Sequence, residues 1–366
     1  MLRRYKPIHP RLSSGAMALT AIFSLVGYST ACAADDILTY AGPDRVQRLL
    51  EGARKEGAVV LYSTIIVNQA LRPLADGFQK KYPFVKMTFW RGDSEEMLTK
   101  ASIEQRAGKI TGDVLEGPGV GELAVQANLA EQYSTPAIND YPKAYHDPRG
   151  LWTVDRMSYY SLAYNTKMVP KEIVPKSYED LLDPRWKDKM AWRIGTSGGM
   201  PLFLTTLRVA WGEEKAMSYF QKLRSQNVLN FAAGSARTLV DRVVAGEYPL
   251  AISIFAHHPL ISAEKGAPVN SQLLDPVTAT SSTLILVKGT RHPHASLLLI
   301  DFILSKEGQE ILAKAEYYPA HPDVHALPTL HSVVPRRAGV PEAFITPEAS
   351  LKYLPSSLKI WEDLFR

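Results

Sequence analysis

Two short segments carry residue types that could do chemistry. Gly195-Thr196-Ser197-Gly198-Gly199 is a literal G-x-S-x-G. It follows a strand-type apolar run at 190–194 and opens an apolar helix at 202–211, the setting of a nucleophile elbow. Asp241, Asp275 or Asp301 could follow as acid, and His257, His258 or His292 as base, giving the chain order Ser-Asp-His. No HGGG-type oxyanion segment stands upstream, however, and any glycine-rich anion loop that holds a serine satisfies the same pattern. A serine hydrolase using Ser197 is thus the lesser reading. The second segment is His257-His258, directly after the apolar run LAISIF at 250–255, where loop side chains can face a crevice. The histidines nowhere form H-E-x-x-H or another closed metal set. His292, His294, His321, His325 and His331 lie in polar or proline-rich stretches and are expected at the surface. Gly117-Pro118-Gly119-Val120-Gly121 fails as a dinucleotide loop, because Glu122 stands where glycine is required and proline interrupts the turn. There is no P-loop.

The loops that follow the strand-type runs share a composition suited to anions. They are Ser63-Thr64, Arg91-Gly92-Asp93-Ser94, Glu116 to Gly119, Thr196 to Gly199 and Gly234-Ser235. Each offers backbone N–H groups, hydroxyls or both, and a helix N-terminus so furnished receives an anion readily. The same serines and threonines also cap helices with no ligand present. Several such loops in one chain nevertheless point to convergence on one ligand. The candidate ligand-binding set is Ser63, Thr64, Arg91, Glu116, Ser197, Gly198, Ser235, His257 and His258. An alternative uses His257, His258 and Glu116 as donors to a metal ion.

The elements that must position these loops alternate in type. An amphipathic helix ending at Gly57 precedes a buried strand at 58–62 (AVVLY), a helix at 69–82 and a strand at 84–90. A helix at 94–107 and a short strand at 113–115 follow. The β-α-β-α-β order predicts a doubly wound α/β fold with a parallel sheet. Strands at 190–194, 250–255 and 283–287 extend the pattern. A single amphipathic helix is expected at 295–313 and a last short one at 356–364, with residues 319–347 running over the surface.

Of the 366 residues 46% are apolar and 22% charged, which excludes disorder and coiled coil as overall classes. The net charge of +5 arises mostly in the first 33 residues, where Arg3, Arg4, Lys6 and Arg11 stand without an acid. The rest is close to neutral and makes no electrostatic case for nucleic acid. That leader has a basic start, an 11-residue apolar run at 16–26 and Ala31-Cys32-Ala33, the layout of a secretory signal peptide cleaved near Ala33 or Ala34. Such a run is too short to span a bilayer, which takes about 20 apolar residues. The only cysteine, Cys32, could instead be a lipidated first residue, and Arg3-Arg4 admits a twin-arginine route.

Several segments together resemble periplasmic substrate-binding proteins of ABC importers, type II, in the ferric-iron-binding-like branch. They are Ala163-Tyr164-Asn165-Thr166, the run from Tyr178 to Lys187 (YEDLLDPRWK), Ala245 to Leu250 (AGEYPL), His292-Pro293-His294-Ala295, and Leu304 to Glu310 (LSKEGQE). The resemblance implies two α/β lobes joined by crossover strands around a ligand cleft. Lobe 1 would take residues 34–138 plus 273–366, and lobe 2 residues 139–272. It implies a periplasmic, monomeric receptor that closes on its ligand by hinge bending and docks on a membrane permease and its ATPase. No enzyme activity and no cofactor are implied. In iron binders of this branch an adjacent tyrosine pair after a second-lobe strand supplies phenolates to Fe(III), and the matching place here holds His257-His258. Fe(III) prefers oxygen donors, so the expected ligand is a small anion: a carboxylate, a phosphonate or a phosphate ester. Tyr159-Tyr160 lies on the crossover, where a strand would turn its two rings to opposite faces.

Overall fold

The alternating β-α pattern of the first third holds in the computed structural model, which describes residues 37–194, 199–232 and 235–366. Helix α1 (Arg45–Glu56) leads to β1 (Ala58–Ser63), α2 (Arg72–Lys81), β2 (Lys86–Arg91), α3 (Ser94–Arg106), β3 (Val114–Pro118) and α4 (Val120–Gln126). Next come β4 (Ala130–Glu131), β5 (Thr153–Asn165), β6 (Met190–Arg193), α5 (Met200–Trp211), α6 (Glu213–Arg224), β7 (Leu229–Phe231) and α7 (Ala236–Val244). The chain continues through β8 (Leu250–Phe255), α8 (His257–Glu264), β9 (Val269–Gln272), β10 (Val277–Val287), α9 (Pro293–Leu304) and α10 (Lys306–Lys314). It ends with β11 (Tyr318–Pro319), α11 (Pro335–Ala338), β12 (Glu342–Phe344) and α12 (Pro347–Leu364).

The strands run in the order β2-β1-β3-β10-β5-β8-β6-β7, with β4 and β12 on β10 and with β9 and β11 on β5. β1 lies parallel between β2 and β3, and β6 lies parallel between β7 and β8. The three central pairings, β3–β10, β10–β5 and β5–β8, are antiparallel. β5 joins the two parallel sets. Its residues up to Tyr159 pair with β10, and those from Tyr160 onward pair with β8 and β9. Each set has its own apolar core. Leu49, Phe78 and Phe302 lie in the first, and Trp192, Phe203, Phe220 and Leu250 in the second.

Four expectations are revised. The helix expected at 295–313 is two helices, because Ser305 adopts an extended ψ of 159° and its side chain caps α10 by accepting from the Gly308 N–H. The last helix starts at Pro347 rather than near 356: Thr346 caps it, and Pro355 is accommodated inside it. A proline costs an interior helix one ladder bond, and packing of Ile360, Trp361, Leu364 and Phe365 on the second core offsets that loss. His321, expected at the surface, is buried edge-on to Tyr141 and accepts from the Asp323 N–H. The strand expected at 283–287 reaches back to Val277, since the small hydroxyl side chains of 278–283 fit between β3 and β5. Among the described residues no helix is long and apolar enough to cross a membrane.

Candidate functional site

Parallel strands aim their carboxyl ends at a common crevice, and here those ends meet around a cavity of about 160 Å³. Thr64 follows β1, Arg91 ends β2, Pro118 ends β3, Arg193 ends β6 and Phe255 ends β8; all five line the cavity. β5 contributes Arg156 and Tyr160, four residues apart and so on one face of the strand. Ser235 and Arg237 come from the start of α7, His257 and His258 from the start of α8, and Tyr317 from the chain after α10.

Four guanidinium groups thus surround one space: Arg91, Arg156, Arg193 and Arg237. Arg156 is buried, and its Nη2 stands 2.9 Å from Glu116 Oε1 and donates to Thr64 Oγ1 at 3.0 Å. Its guanidinium lies over the Tyr317 ring, 5.0 Å from the centroid. Tyr317 in turn accepts from the Ile66 N–H at 3.2 Å. Arg237 pairs with Asp241 at 3.2 Å and donates to the His258 carbonyl at 3.4 Å. Ser253, at a left-handed φ of 58°, donates to the Gly199 carbonyl and so ties β8 to the start of α5. A non-glycine residue seldom takes that conformation, and strained residues gather at binding sites.

His257 and His258 are 4% and 9% exposed, and neither Nδ1 has a hydrogen-bond partner among the described residues. Burial, helped by the Arg237 charge, pushes the His258 imidazole down to about 3. Burial, His258, Arg156 and Arg237 depress His257 well below its usual value. Both rings are neutral at pH 7, each able to donate one hydrogen bond and accept another. Burial pushes the Tyr160 phenol up to about 12.

The structure brings Thr64, Arg91, Ser235, His257 and His258 of the sequence-derived set to this cavity. Ser63 and Glu116 lie beside it but face each other: the Ser63 hydroxyl donates to Glu116 Oε2 at 2.5 Å, and both residues are fully buried. The Ser235 hydroxyl caps α7 by accepting from the Thr238 N–H. Ser197 and Gly198 lie outside the described residues, and with them the nucleophile of the hydrolase reading. Among the described residues no three His, Cys, Asp or Glu side chains stand together as a metal set. The alternative donor Glu116 is instead engaged by Ser63 and Arg156. Sequence reasoning missed Arg156, Tyr160, Arg193, Arg237 and Tyr317. Arg193 and Arg237 carried a signal, one near the end of a strand-type run and the other two residues past Ser235. Arg156 and Tyr317 carried none.

The model of the family described as bacterial extracellular solute-binding protein matches residues 112–337. A Haemophilus influenzae protein named only as uncharacterized is 28% identical over 275 residues, covering 72% of this chain and 77% of its own. The Fe(3+)-binding periplasmic protein of Serratia marcescens is 23% identical over 272 residues, covering 72% of this chain and 78% of its own. Among solved structures, the periplasmic binding protein AfuA from Actinobacillus pleuropneumoniae, with exogenous fructose-6-phosphate bound, superposes with a TM-score of 0.70 at 23% identity. The match covers 84% of this chain and 98% of AfuA. Iron-bound HitA from Pseudomonas aeruginosa gives 0.70 at 21% identity, covering 84% of this chain and 99% of HitA. The chain belongs to the bacterial extracellular solute-binding proteins, a periplasmic family, and has the type II periplasmic binding protein fold of the ferric-iron-binding-like branch.

Proposed function

We propose that this protein is the solute receptor of an ABC importer and that its cargo is a small anion, a phosphate ester ahead of a carboxylate or phosphonate. The observation that carries this reading is the ring of four guanidiniums and two neutral imidazoles around one cavity. Guanidinium forks bind phosphate and carboxylate oxygens through paired, charge-assisted hydrogen bonds. Neutral histidines add donors without needing a metal. The fructose-6-phosphate in AfuA is a ligand of the same chemical class. The lobes of the proposal are residues 34–138 with the return segment from 273, and residues 139–272. β5 crosses between them, and α12 leaves the return segment to pack on α5. The ligand favours the closed form by touching both lobes, and a permease with its ATPase would read that form. The leader at 1–33 would direct export, with Cys32 a possible site of lipidation. No step of the reading makes or breaks a bond.

A thermal-shift screen with fructose 6-phosphate, other phosphate esters, phosphonates, organic acids and ferric citrate tests the reading. A ligand at 100 times its Kd adds about 2.7 kcal/mol of stability. Stabilisation by phosphate esters in metal-free buffer is expected; stabilisation by ferric salts alone would overturn it. That second reading, ferric iron as cargo, draws support from the two phenols, Tyr160 and Tyr317, that line the cavity. The raised phenol of Tyr160 and the imidazoles at 257–258 weigh against it.

A further inference from the structure

Ser253 holds a backbone position that glycine ordinarily fills. β8 and β5 pair as Phe255 with Tyr160, Ile254 with Ser161 and Ala251 with Ala163, so Leu162 alone faces Ile252 and Ser253. Two residues against one make a β-bulge, and a left-handed residue in such a bulge is commonly glycine. Ser253 takes that conformation with φ 58°. The extra residue inverts the faces of the strand beyond it. Leu250 and Ile252 pack in the core that holds Trp192, and Ala251 packs in another cluster with Leu239 and Val243 of α7. Strict alternation would return Ile254 to the Trp192 side. Ile254 instead joins Ala251, and Phe255 turns to Tyr160, ring centroids 4.8 Å apart, where both line the cavity. Phe255 in turn meets the imidazoles of His257 and His258 at 5.9 and 5.3 Å.

What serine adds at this position is a hydroxyl. Ser253 is 7% exposed, lines the cavity and donates to the Gly199 carbonyl at 3.1 Å. Gly199, at φ 70°, lies so close to the end of β6 that a Cβ there would stand 2.3 Å from the Arg193 carbonyl oxygen. The end of β6, the start of α5 and the bulge of β8 thus meet at one junction, and Arg193, Gly199 and Ser253 all line the cavity. The parallel pairing of β6 with β8 stops at Trp192 and Ile252, one residue before the bulge. We propose that Ser253 is a positioning residue for the cargo: its left-handed bulge sets the wall of Phe255 and Tyr160, and its hydroxyl holds Gly199 and the start of α5 in place for the anion. Glycine would relax the backbone but lose the hydroxyl, so the two contributions can be separated by substitution. This role rests on the anion reading above.

The test titrates the full-length protein calorimetrically with fructose 6-phosphate, glycerol 3-phosphate and inorganic phosphate, and melts each variant without ligand. Ser253→Gly and Ser253→Ala both lack the hydroxyl, and each should bind the probes about 5- to 10-fold more weakly than wild type. Ser253→Gly should nevertheless melt above Ser253→Ala, because alanine keeps the left-handed strain. Ser253→Thr restores the hydroxyl but puts a branched side chain on a left-handed residue. It should melt below Ser253→Gly and yet bind more tightly, a crossed order that a merely structural role would not give. Wild-type affinity within twofold in Ser253→Gly would overturn the inference while leaving the anion reading intact. So would affinities that rank with the melting temperatures. Should the threonine protein not fold, the other two variants decide: equal losses of affinity at different melting temperatures are expected, and a loss confined to Ser253→Ala would overturn the inference. Binding of none of the three probes to wild type would overturn the anion reading, and the inference with it.

Discussion

The rings of His257 and His258 meet edge to face, centroids 4.5 Å apart, at the start of α8. Tyr317 and Tyr318 close over His257 at 5.7 and 5.5 Å, and Phe255 lies 5.3 Å from His258. With Arg156 and Arg237 nearby, a proton on either ring is penalised by burial and by like charge.

That arrangement dictates a pH dependence. Both imidazoles are lowered in the folded protein, His258 to about 3, and return to about 6.5 on unfolding. Below 6.5 the unfolded chain binds more protons, so the stability these groups provide is present above 6.5 and lost as pH falls toward 3. The slope has a ceiling of about 1.4 kcal/mol per pH unit for each histidine. The melting temperature of the ligand-free protein should therefore drop between pH 7 and pH 5, and His257→Gln/His258→Gln should flatten the drop. Equal slopes for wild type and the double variant would show that the pair does not titrate this way.

The guanidiniums separate binding from stability. Arg237 is 38% exposed and its partner Asp241 58% exposed, so their ion pair contributes at most about 1 kcal/mol. Arg237→Ala should leave the melting temperature within a few degrees. If it holds the anion, affinity for a bound phosphate ester should fall about 10- to 100-fold, the loss of one charge-assisted contact. Arg156→Ala differs, because it strands the fully buried Glu116. It should lower both affinity and melting temperature, the latter reflecting about 3–5 kcal/mol. Titration calorimetry and thermal denaturation of the two variants side by side check the contrast.

How far the sequence announced this site follows from how each residue reaches it. Parallel strands buried on both faces read as unbroken apolar runs, so β1 and β8 and the residues just past them, Thr64 and His257, were legible. Arg156 was not. The segment VDRMSYY at 154–160 has no clean alternation, and which of its side chains faces the cavity depends on pairing with β10 on one side and β8 on the other. Tyr317 reaches the cavity from a chain position more than 50 residues beyond its neighbour His257. Local periodicity does not encode such long-range contacts. Glu116 was found by position, as a strand-end acid, but its side chain is directed by Ser63 and Arg156, partners that its neighbours in sequence do not reveal. α12 is longer than the helix expected at 356–364, because tertiary packing carries it through Pro355.

Iron supplies a further prediction. Glu116 is committed to Arg156, Tyr160 is pushed up to about 12, and among the described residues no three His, Cys, Asp or Glu side chains stand together as a metal set. Adding ferric citrate should produce no visible phenolate-to-iron absorption beyond that of ferric citrate itself. The melting temperature should also match that in citrate alone. A new visible band lost in Tyr160→Phe or Tyr317→Phe would establish the ferric reading.

The attachment of α12 makes a last prediction, one about stability alone. Asn230 on β7 accepts from both indole N–H groups, Trp192 at 2.8 Å and Trp361 at 3.1 Å, and donates to the Phe365 carbonyl at 2.6 Å. Phe365 packs edge-on to Trp192 at 4.9 Å. One turn away from Trp361, the Ser357 hydroxyl meets Thr205 at 2.9 Å and accepts from Arg208 Nη1 at 3.0 Å, fully buried. Removing a buried partner costs more than the bond it made, because the groups left behind stay desolvated. Ser357→Ala should cost about 1–3 kcal/mol in urea unfolding at constant slope, and Asn230→Ala, at an exposed position, less than that. The helix end should loosen before the rest, so trypsin should cut faster after Lys352 and Lys359 in both variants. Unchanged midpoints and unchanged cleavage would mean that apolar packing of Trp361 and Phe365 holds α12 without help from these bonds.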